Sequence, residues 1–220
     1  MVRAVESIVL SFAVVVGLLP ALPAARAAAS EPVLAAAIPS SVLLPEGARP
    51  ATANPVPPSK GTPWAWGWNG SGTLGNNATV QQNTPVRTQM LGTSALAAGD
   101  DHGLGRKSDG TLWSWGGNSE GQLCDGTTTN PLVPTQVTAL SGVSAIGAGG
   151  FHTLAAKSDG TVWACGDNDQ GQLGNGTTST TPNPNPSQVT GLAGVIAVAG
   201  GRFFSVALKS DGTVWAWVRT

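Results

Sequence analysis

The sequence predicts an all-β fold: an incomplete, and therefore open, β-propeller of about three four-stranded blades. The first observation is a repeat, because Gly-Thr pairs begin at positions 61, 110, 160 and 212, a spacing of 49 to 52 residues that is typical of propellers. The second is the content of each period, which carries signals for four short strands. The third is composition, since 30 glycines and 16 prolines among 220 residues disfavour long helices.

The amino-terminal part of the chain differs from the rest and predicts export. Residues 1–27 combine a basic residue, a mainly apolar run over 8–19 and an Ala-x-Ala site at 25–27, which is the plan of a secretory signal peptide. The alternative is a membrane anchor, but the apolar run is well short of the ~20 residues that a spanning helix needs. Residues 28–60 are rich in Ala and Pro and predict a disordered, extended linker. The partial propeller is therefore expected over 61–220.

Each period repeats one motif in register. A Trp follows the Gly-Thr pair, an Asn stands five residues after that Trp, and a Gly stands three residues after the Asn. We predict a structural role for these positions, with Asn and Gly shaping turns and Trp filling the wedges between blades. The motif residues are Trp64, Trp113, Trp163, Trp215, Asn69, Asn118, Asn168, Gly72, Gly121 and Gly171.

The period also predicts where its strands lie. Asp-Gly pairs at 109–110, 159–160 and 211–212 predict tight hairpins, because Asp bonds its own backbone and Gly accepts a positive φ. The apolar runs 142–150 and 194–201 are bounded by glycines and predict inner strands that are buried on both faces. A short outer strand is expected after each long polar loop.

One stretch carries a family resemblance. Residues 149–177 follow the pattern G-G-x-H-T-L-A-x-K-S-D-G-T-V-W-A-x-G-x-N-x-x-G-Q-L-G-x-G-T, which resembles the repeat of the regulator of chromosome condensation family. The resemblance covers about 61–220 and is similar to secreted bacterial members of the family. It implies a seven-bladed propeller in complete members, and a shared scaffold rather than a shared chemistry.

The chain departs from that pattern at its end. Three full periods are followed by a fragment, and Val218 stands where the repeat has Gly. Such an ending is typical of a truncated gene product, or of a ring that several chains complete. An open stack of blades leaves strand edges unpaired at both ends, and these exposed blade edges favour self-association.

Residues of potential chemical interest have structural explanations. His102 and His152 occupy equivalent repeat positions, where the third copy has Phe204, so they predict blade hydrogen bonds rather than a facing pair. The loop from Asp167 carries alternate carboxylates like a calcium loop, but Gln172 stands where such a loop needs Gly. No nucleophile is paired with a base in the sequence. We therefore predict no catalytic residue, no metal and no cofactor.

The two cysteines replace repeat residues. Cys124 stands where the sister copies have Gly, and Cys165 stands where they have Trp. An exported chain meets an oxidising space, which favours a disulfide. The two residues belong to neighbouring repeats, and a bridge requires a Cα separation of about 5.5 Å. A disulfide and two free thiols both stay open at this point.

Charge and repeat variation indicate the class of function. Only 10% of the residues are charged and the net charge is −1, so neither nucleic acid nor, after removal of the signal, membrane is an expected partner. The sequence predicts a secreted or cell-surface, non-enzymatic repeat scaffold that binds an unidentified protein. Two alternatives stay open: guanine nucleotide exchange on a small GTPase, which the resemblance implies, and a structural cell-surface repeat protein. The candidate partner-binding residues vary between copies at the blade entry and are Asp100, Asp101, Arg202 and Phe203.

Overall fold

The computed structural model describes residues 3–4 and 61–218. These residues form β-strands, turns and loops, with no helix among them. The predicted signal peptide and the predicted disordered linker lie outside the described residues, except for residues 3–4. The predicted propeller segment lies inside them, apart from its last two residues.

The described strands fall into four antiparallel sheets that follow one another along the chain. Two sheets have four strands in sequence order, one has two strands, and the last has three consecutive strands and one from the amino terminus. We name them the first to fourth blades. The first blade contains β2 (Trp64–Gly67) and β3 (Gln82–Arg87); the second contains β4 (Thr93–Ala98), β5 (His102–Lys107), β6 (Leu112–Gly116) and β7 (Thr135–Gln136); the third contains β8 (Val143–Ala148), β9 (His152–Lys157), β10 (Val162–Gly166) and β11 (Ser187–Gln188); the fourth contains β12 (Val195–Gly200), β13 (Ser205–Lys209), β14 (Val214–Trp217) and β1 (Arg3–Ala4).

This arrangement confirms the predicted open propeller of about three four-stranded blades. Each blade contributes its first strand to the inner side of the stack, where β8 contacts both β4 and β12. In the fourth blade, β1 pairs with the outer edge of β14. β1 lies within the segment predicted to be a signal peptide, so this pairing belongs to a chain that retains that segment.

The hairpin between the second and third strands of a blade is built by its own side chains. Asp159 Oδ1 accepts hydrogen bonds from the main-chain N–H of Thr161 at 3.0 Å and from its hydroxyl at 2.6 Å. Gly160 has a φ of +80°, a conformation that favours glycine. The same bonds recur in the other blades, at Asp109 with Thr111 and at Asp211 with Thr213. The Asp-Gly-Thr sequence therefore fixes the register of each hairpin locally.

The inner strands are less buried than predicted. Leu96 on β4 is 53% exposed and Ile196 on β12 is 56% exposed, so the prediction that such runs are buried on both faces is wrong at these positions. Within the described residues, β4 and β12 each have an inner neighbour, β8, on one side. Their other faces are the two ends of the stack.

The core lies between blades rather than within one sheet. One cluster joins the second and third blades and another joins the third and fourth, which is how four-stranded sheets that face each other bury apolar side chains. The first cluster includes Leu104, Leu112, Cys124, Val137, Val143, Ala155 and Cys165, and the second includes Leu154, Val162, Leu173, Val189, Val195, Ala207 and Trp217.

Candidate functional site

The repeated Asn organises the long loop that follows the third strand of a blade. Asn118 is fully buried, and its Oδ1 accepts the main-chain N–H of Leu123 at 3.0 Å. Its Nδ2 donates to the main-chain oxygens of Thr127 and Thr129, both at 3.0 Å. Equivalent Oδ1 bonds of 2.9 and 3.1 Å recur at Asn69 and Asn168. The Asn positions therefore hold loops, and with them the calcium-like loop is explained as a turn network.

The first Trp of each repeat does not fill a wedge between blades, contrary to the prediction. Trp113 is half-buried under Lys107, whose Nζ lies 4.0 Å from the indole centroid, and its indole N–H donates to Thr111 Oγ1 at 3.1 Å. Trp163 and Trp215 have the same Lys and Thr partners. These rings close the hairpin end of the blade through cation–π contact.

The second Trp of the repeat fills the wedge instead. The indole N–H of Trp115 donates to the main-chain oxygen of Thr73, in the preceding blade, at 2.9 Å. The indole N–H of Trp217 likewise donates to the main-chain oxygen of Gln172 at 2.8 Å. Both rings are buried. Sequence reasoning missed their role, although a Trp two residues after the first was the available signal.

A glycine in the preceding blade makes room for each of these rings. A Cβ on Gly75 would lie 2.9 Å from Trp115, and a Cβ on Gly174 would lie 2.6 Å from Trp217. Such distances are too short for any side chain. The glycine and the tryptophan are thus two halves of one packing contact between neighbouring blades.

The two cysteines occupy the same two halves at the junction of the second and third blades. Cys124 stands in the Gly place, Cys165 stands in the Trp place, and they form a disulfide with a Cα–Cα distance of 5.5 Å. Both residues are buried. Cys124 has a φ of +58°, close to the +61° of Gly75, so the backbone keeps the conformation of the repeat. A Gly–Trp contact has been exchanged for a covalent link.

Each histidine bonds a hydroxyl of the next blade. His102 Nε2 lies 3.1 Å from Thr153 Oγ1, which donates its proton to the main-chain oxygen of Gln122 at 2.7 Å. The ring therefore donates from Nε2. His152 forms the same chain of hydrogen bonds with Ser205 at 2.9 Å. We call each chain of three groups a histidine relay.

Burial keeps both histidines neutral at ordinary pH. Both rings are fully buried, and among the described residues neither Nδ1 has a hydrogen-bond partner. Loss of solvation lowers the pKa of His102 to about 3, with a smaller contribution from His152, and lowers the pKa of His152 to about 4. A proton-transfer role would need a pKa closer to neutral and access to a substrate. The relays are structural groups that cross the blade junctions.

Three of the four predicted partner-binding residues meet on one surface, which we call the axial surface. Arg202 Nε lies 3.3 Å from Asp100 Oδ2, so the turns that enter the second and fourth blades are joined across the third. The guanidinium also lies 5.3 Å from the ring centroid of Phe203, which is exposed. The main-chain N–H of Asp100 donates to Gly150 in the third blade at 3.1 Å.

Asp101 is separate from this surface. Its carboxylate accepts a hydrogen bond from Gln122 Nε2 at 3.3 Å, and its main-chain oxygen accepts from Thr73 and Gly117. Burial raises the pKa of Asp101, while the Gln122 bond opposes that change. The side chain supports the loops of two blades and is not presented to a partner.

The described part of the chain offers no metal or membrane site. Within residues 61–218, no three side chains of His, Cys, Asp or Glu come together to ligate a metal ion. Nor does any helix of the described residues have the length and apolar character to cross a bilayer.

Solved structures share this fold. Human WBSCR16 is 25% identical, with a TM-score of 0.62, over 70% of this chain and 42% of the human one. Yeast RCC1 (Prp20) bound to Kap60 is 22% identical, with a TM-score of 0.61, over 72% of this chain and 40% of the yeast one. A second structure of Prp20p, a protein from Saccharomyces cerevisiae with binding properties toward Gsp1p and histones, matches equally well. The chain spans about two fifths of the length of these structures.

Sequence comparison gives the family directly. No curated protein sequence matches the chain. The family model for the regulator of chromosome condensation (RCC1) repeat matches residues 60–105, 109–156 and 159–208, and a second model of that repeat matches 94–122 and 143–172. These matches cover well over half of the chain and coincide with the blades described above. The chain therefore belongs to the regulator of chromosome condensation repeat family.

Proposed function

We propose that this chain is an exported, non-enzymatic scaffold that binds a protein partner through the axial surface. The observation that carries the proposal is the Asp100–Arg202 ion pair, which joins turns of two blades and lies beside exposed Phe203. Arginine and aromatic side chains that are held in place on a rigid surface are enriched among the residues that dominate protein interfaces. The relays and the buried junctions beneath supply the rigidity.

The disulfide supports the exported location. Cys124 and Cys165 are both buried and bridged, and bridges of this kind persist in oxidising compartments. Export predicts cleavage after the Ala-x-Ala site at 25–27. Mass spectrometry of protein recovered from the medium or envelope of the producing cell tests this, and an intact amino terminus on cytosolic protein would contradict it.

The partner-binding role is tested with variants of the axial surface. The tagged chain is crosslinked in the medium or envelope fraction of the producing cell, and the crosslinked proteins are compared for the native chain, an Arg202→Ala/Phe203→Ala variant and a control. The control is Asp109→Ala/Asp211→Ala, which alters the hairpins at the other end of the second and fourth blades. We expect the axial variant to weaken a specific crosslinked complex by about 30-fold, which corresponds to about 2 kcal/mol at an interface centre. A complex that both variants retain equally would contradict the proposal.

The nucleotide-exchange alternative has a direct test. A small GTPase loaded with a fluorescent GDP analogue is mixed with the chain, and release of the analogue is followed over time. The proposal of a non-enzymatic exported scaffold predicts no acceleration. A catalytic increase in release would favour the exchange function instead.

A further inference from the structure

The junction tryptophans define a knob and a socket. The knob is the second Trp of a repeat, and the socket is the Gly-x-Leu-Gly turn of the preceding blade. The socket supplies two features: a main-chain oxygen at x that accepts the indole N–H, and a final glycine that lies under the ring. Trp115 meets both features at Thr73 and Gly75, and Trp217 meets both at Gln172 and Gly174.

Trp66 is a third knob by register. β2 pairs with β3 as β6 pairs with β7, because Trp64 lies opposite Arg87 just as Trp113 lies opposite Gln136. Trp66 therefore occupies the position of Trp115. Trp115 and Trp217 are buried, whereas Trp66 is 64% exposed. Its face of the first blade is the one that a preceding blade covers at the other junctions.

The chain has no socket left for this knob. The turn pattern Gly-x-Leu followed by Gly or Cys occurs at 72–75, 121–124 and 171–174 in the whole sequence. Trp115 fills the first, the disulfide partner Cys165 fills the second, and Trp217 fills the third. A second copy of this chain therefore brings no free socket to Trp66.

We propose that Trp66 docks into the Gly-x-Leu-Gly turn of a repeat carried by a different polypeptide. The partner's chemistry follows from the two filled contacts. It presents an unblocked main-chain oxygen and a glycine on the face of a β-sheet blade, and that blade lacks its own following Trp. This surface lies at the end of the stack, on the first blade, and is independent of the axial surface. It also refines the expectation of self-association, because apolar ends alone do not supply a knob with its socket.

A graft tests the proposal by giving the chain a fourth socket. A copy of residues 166–192, which carries the Asn loop, the socket and the outer strand of the third blade, replaces Val218, Arg219 and Thr220. The grafted chain has one knob and one unfilled socket, and we expect it to associate reversibly in sedimentation velocity. Trp66→Ala should weaken this association about 30-fold or more, as for the central anchor of an interface. Trp68→Ala, the exposed neighbour, is the matched control and should leave it intact.

A mixing experiment separates the two halves of the contact. The grafted chain with Trp66→Ala has a socket without a knob, and the native chain has a knob without a socket. We expect these two chains to form a one-to-one complex, and we expect a bulky Val in place of the last socket glycine of the graft to prevent it. A shorter graft of residues 166–177 supplies the socket alone if hydrogen exchange shows the longer graft to be unfolded.

Three results would overturn the proposal. One is that neither graft associates with the native chain. Another is that association is equally strong with Trp66→Ala. The third is that the native chain already self-associates through Trp66, in which case a second copy is the partner.

Discussion

The junction between the second and third blades and the junction between the third and fourth are built on one plan with different side chains. Both carry a histidine relay, through Thr153 at the first and Ser205 at the second. The first is completed by the Cys124–Cys165 disulfide, and the second by Trp217. A blade junction therefore tolerates a complete change of chemistry when both halves of a contact change together.

The two junctions gain stability by different physical routes. Trp217 contributes buried apolar area and one hydrogen bond in the folded state. The disulfide contributes mainly by restricting the unfolded chain. The difference teaches that the wedge needs a tie between its two sides more than it needs a particular side chain. Four predictions test this comparison, beginning with the largest effect.

Removing the indole should have the largest effect. Trp217→Ala leaves a cavity at the junction and an unpaired Gln172 oxygen, so we expect a loss of about 4 kcal/mol in the free energy of unfolding. Urea denaturation measures it. Trp163→Ala, which removes a half-buried indole over a hairpin, is the control, with an expected loss of about 1 kcal/mol. Equal losses would show that the wedge position has no special weight.

Breaking the disulfide should cost slightly less. Cys124→Ser/Cys165→Ser opens a bridge across 41 residues, with an expected loss of about 3 kcal/mol. A rebuilt junction, Cys124→Gly/Cys165→Trp, should recover at least half of it and be insensitive to reductant, because Gly75 and Gly174 show that the backbone accommodates this pair. A rebuilt chain that is less stable than the serine variant would contradict the equivalence of the two junctions.

Acid should weaken both junctions alike. The pKa values of His102 and His152 are lowered by burial to about 3 and about 4, whereas a histidine in the unfolded chain titrates near about 6.5. The unfolded chain binds the protons first, so stability is full above pH 6.5 and falls as the pH drops from 6.5 toward 4. Each histidine should remove about 1.4 kcal/mol per pH unit in that window. Denaturation at several pH values measures the slope, and His102→Gln/His152→Gln should flatten it.

Removing a relay hydroxyl should have the smallest effect, and it should differ between the junctions. We expect Ser205→Ala to cost about 1 kcal/mol, because the main-chain oxygen of Gln172 keeps the indole N–H of Trp217. Thr153→Ala should cost about 2 kcal/mol, because Cys165 offers the Gln122 oxygen no such donor. Thermal unfolding of the two variants side by side measures the difference. A larger loss from Ser205→Ala would reverse the order that the geometry requires.

Local features of the fold were predictable because their causes are local in sequence. The Asp-Gly hairpins depend on bonds between residues two positions apart, as at Asp159 and Thr161. The Asn loops depend on a bond between Asn118 and Leu123 in the same turn. Since each repeat writes the same bonds again, the period alone was enough to predict blades.

The packing between blades was only partly predictable. The sequence assigned the wedge to the first Trp of each repeat, but Trp113 lies over a hairpin and Trp115 fills the wedge. Both rings lie on β6, and alternation places them on different parts of the blade surface without saying which faces a neighbour. The meeting of Asp100 with Arg202 was equally hidden, because 102 positions of chain separate them.

The sequence by itself determined that this chain is a member of the regulator of chromosome condensation repeat family and that its blades are short-stranded and open, because hairpins and loops are held by neighbours within a few residues. Only the tertiary structure decided which partners meet across junctions: Cys124 with Cys165, each histidine with the next blade's hydroxyl, and Arg202 with Asp100. These contacts depend on the angle and distance between whole sheets, which no single repeat encodes.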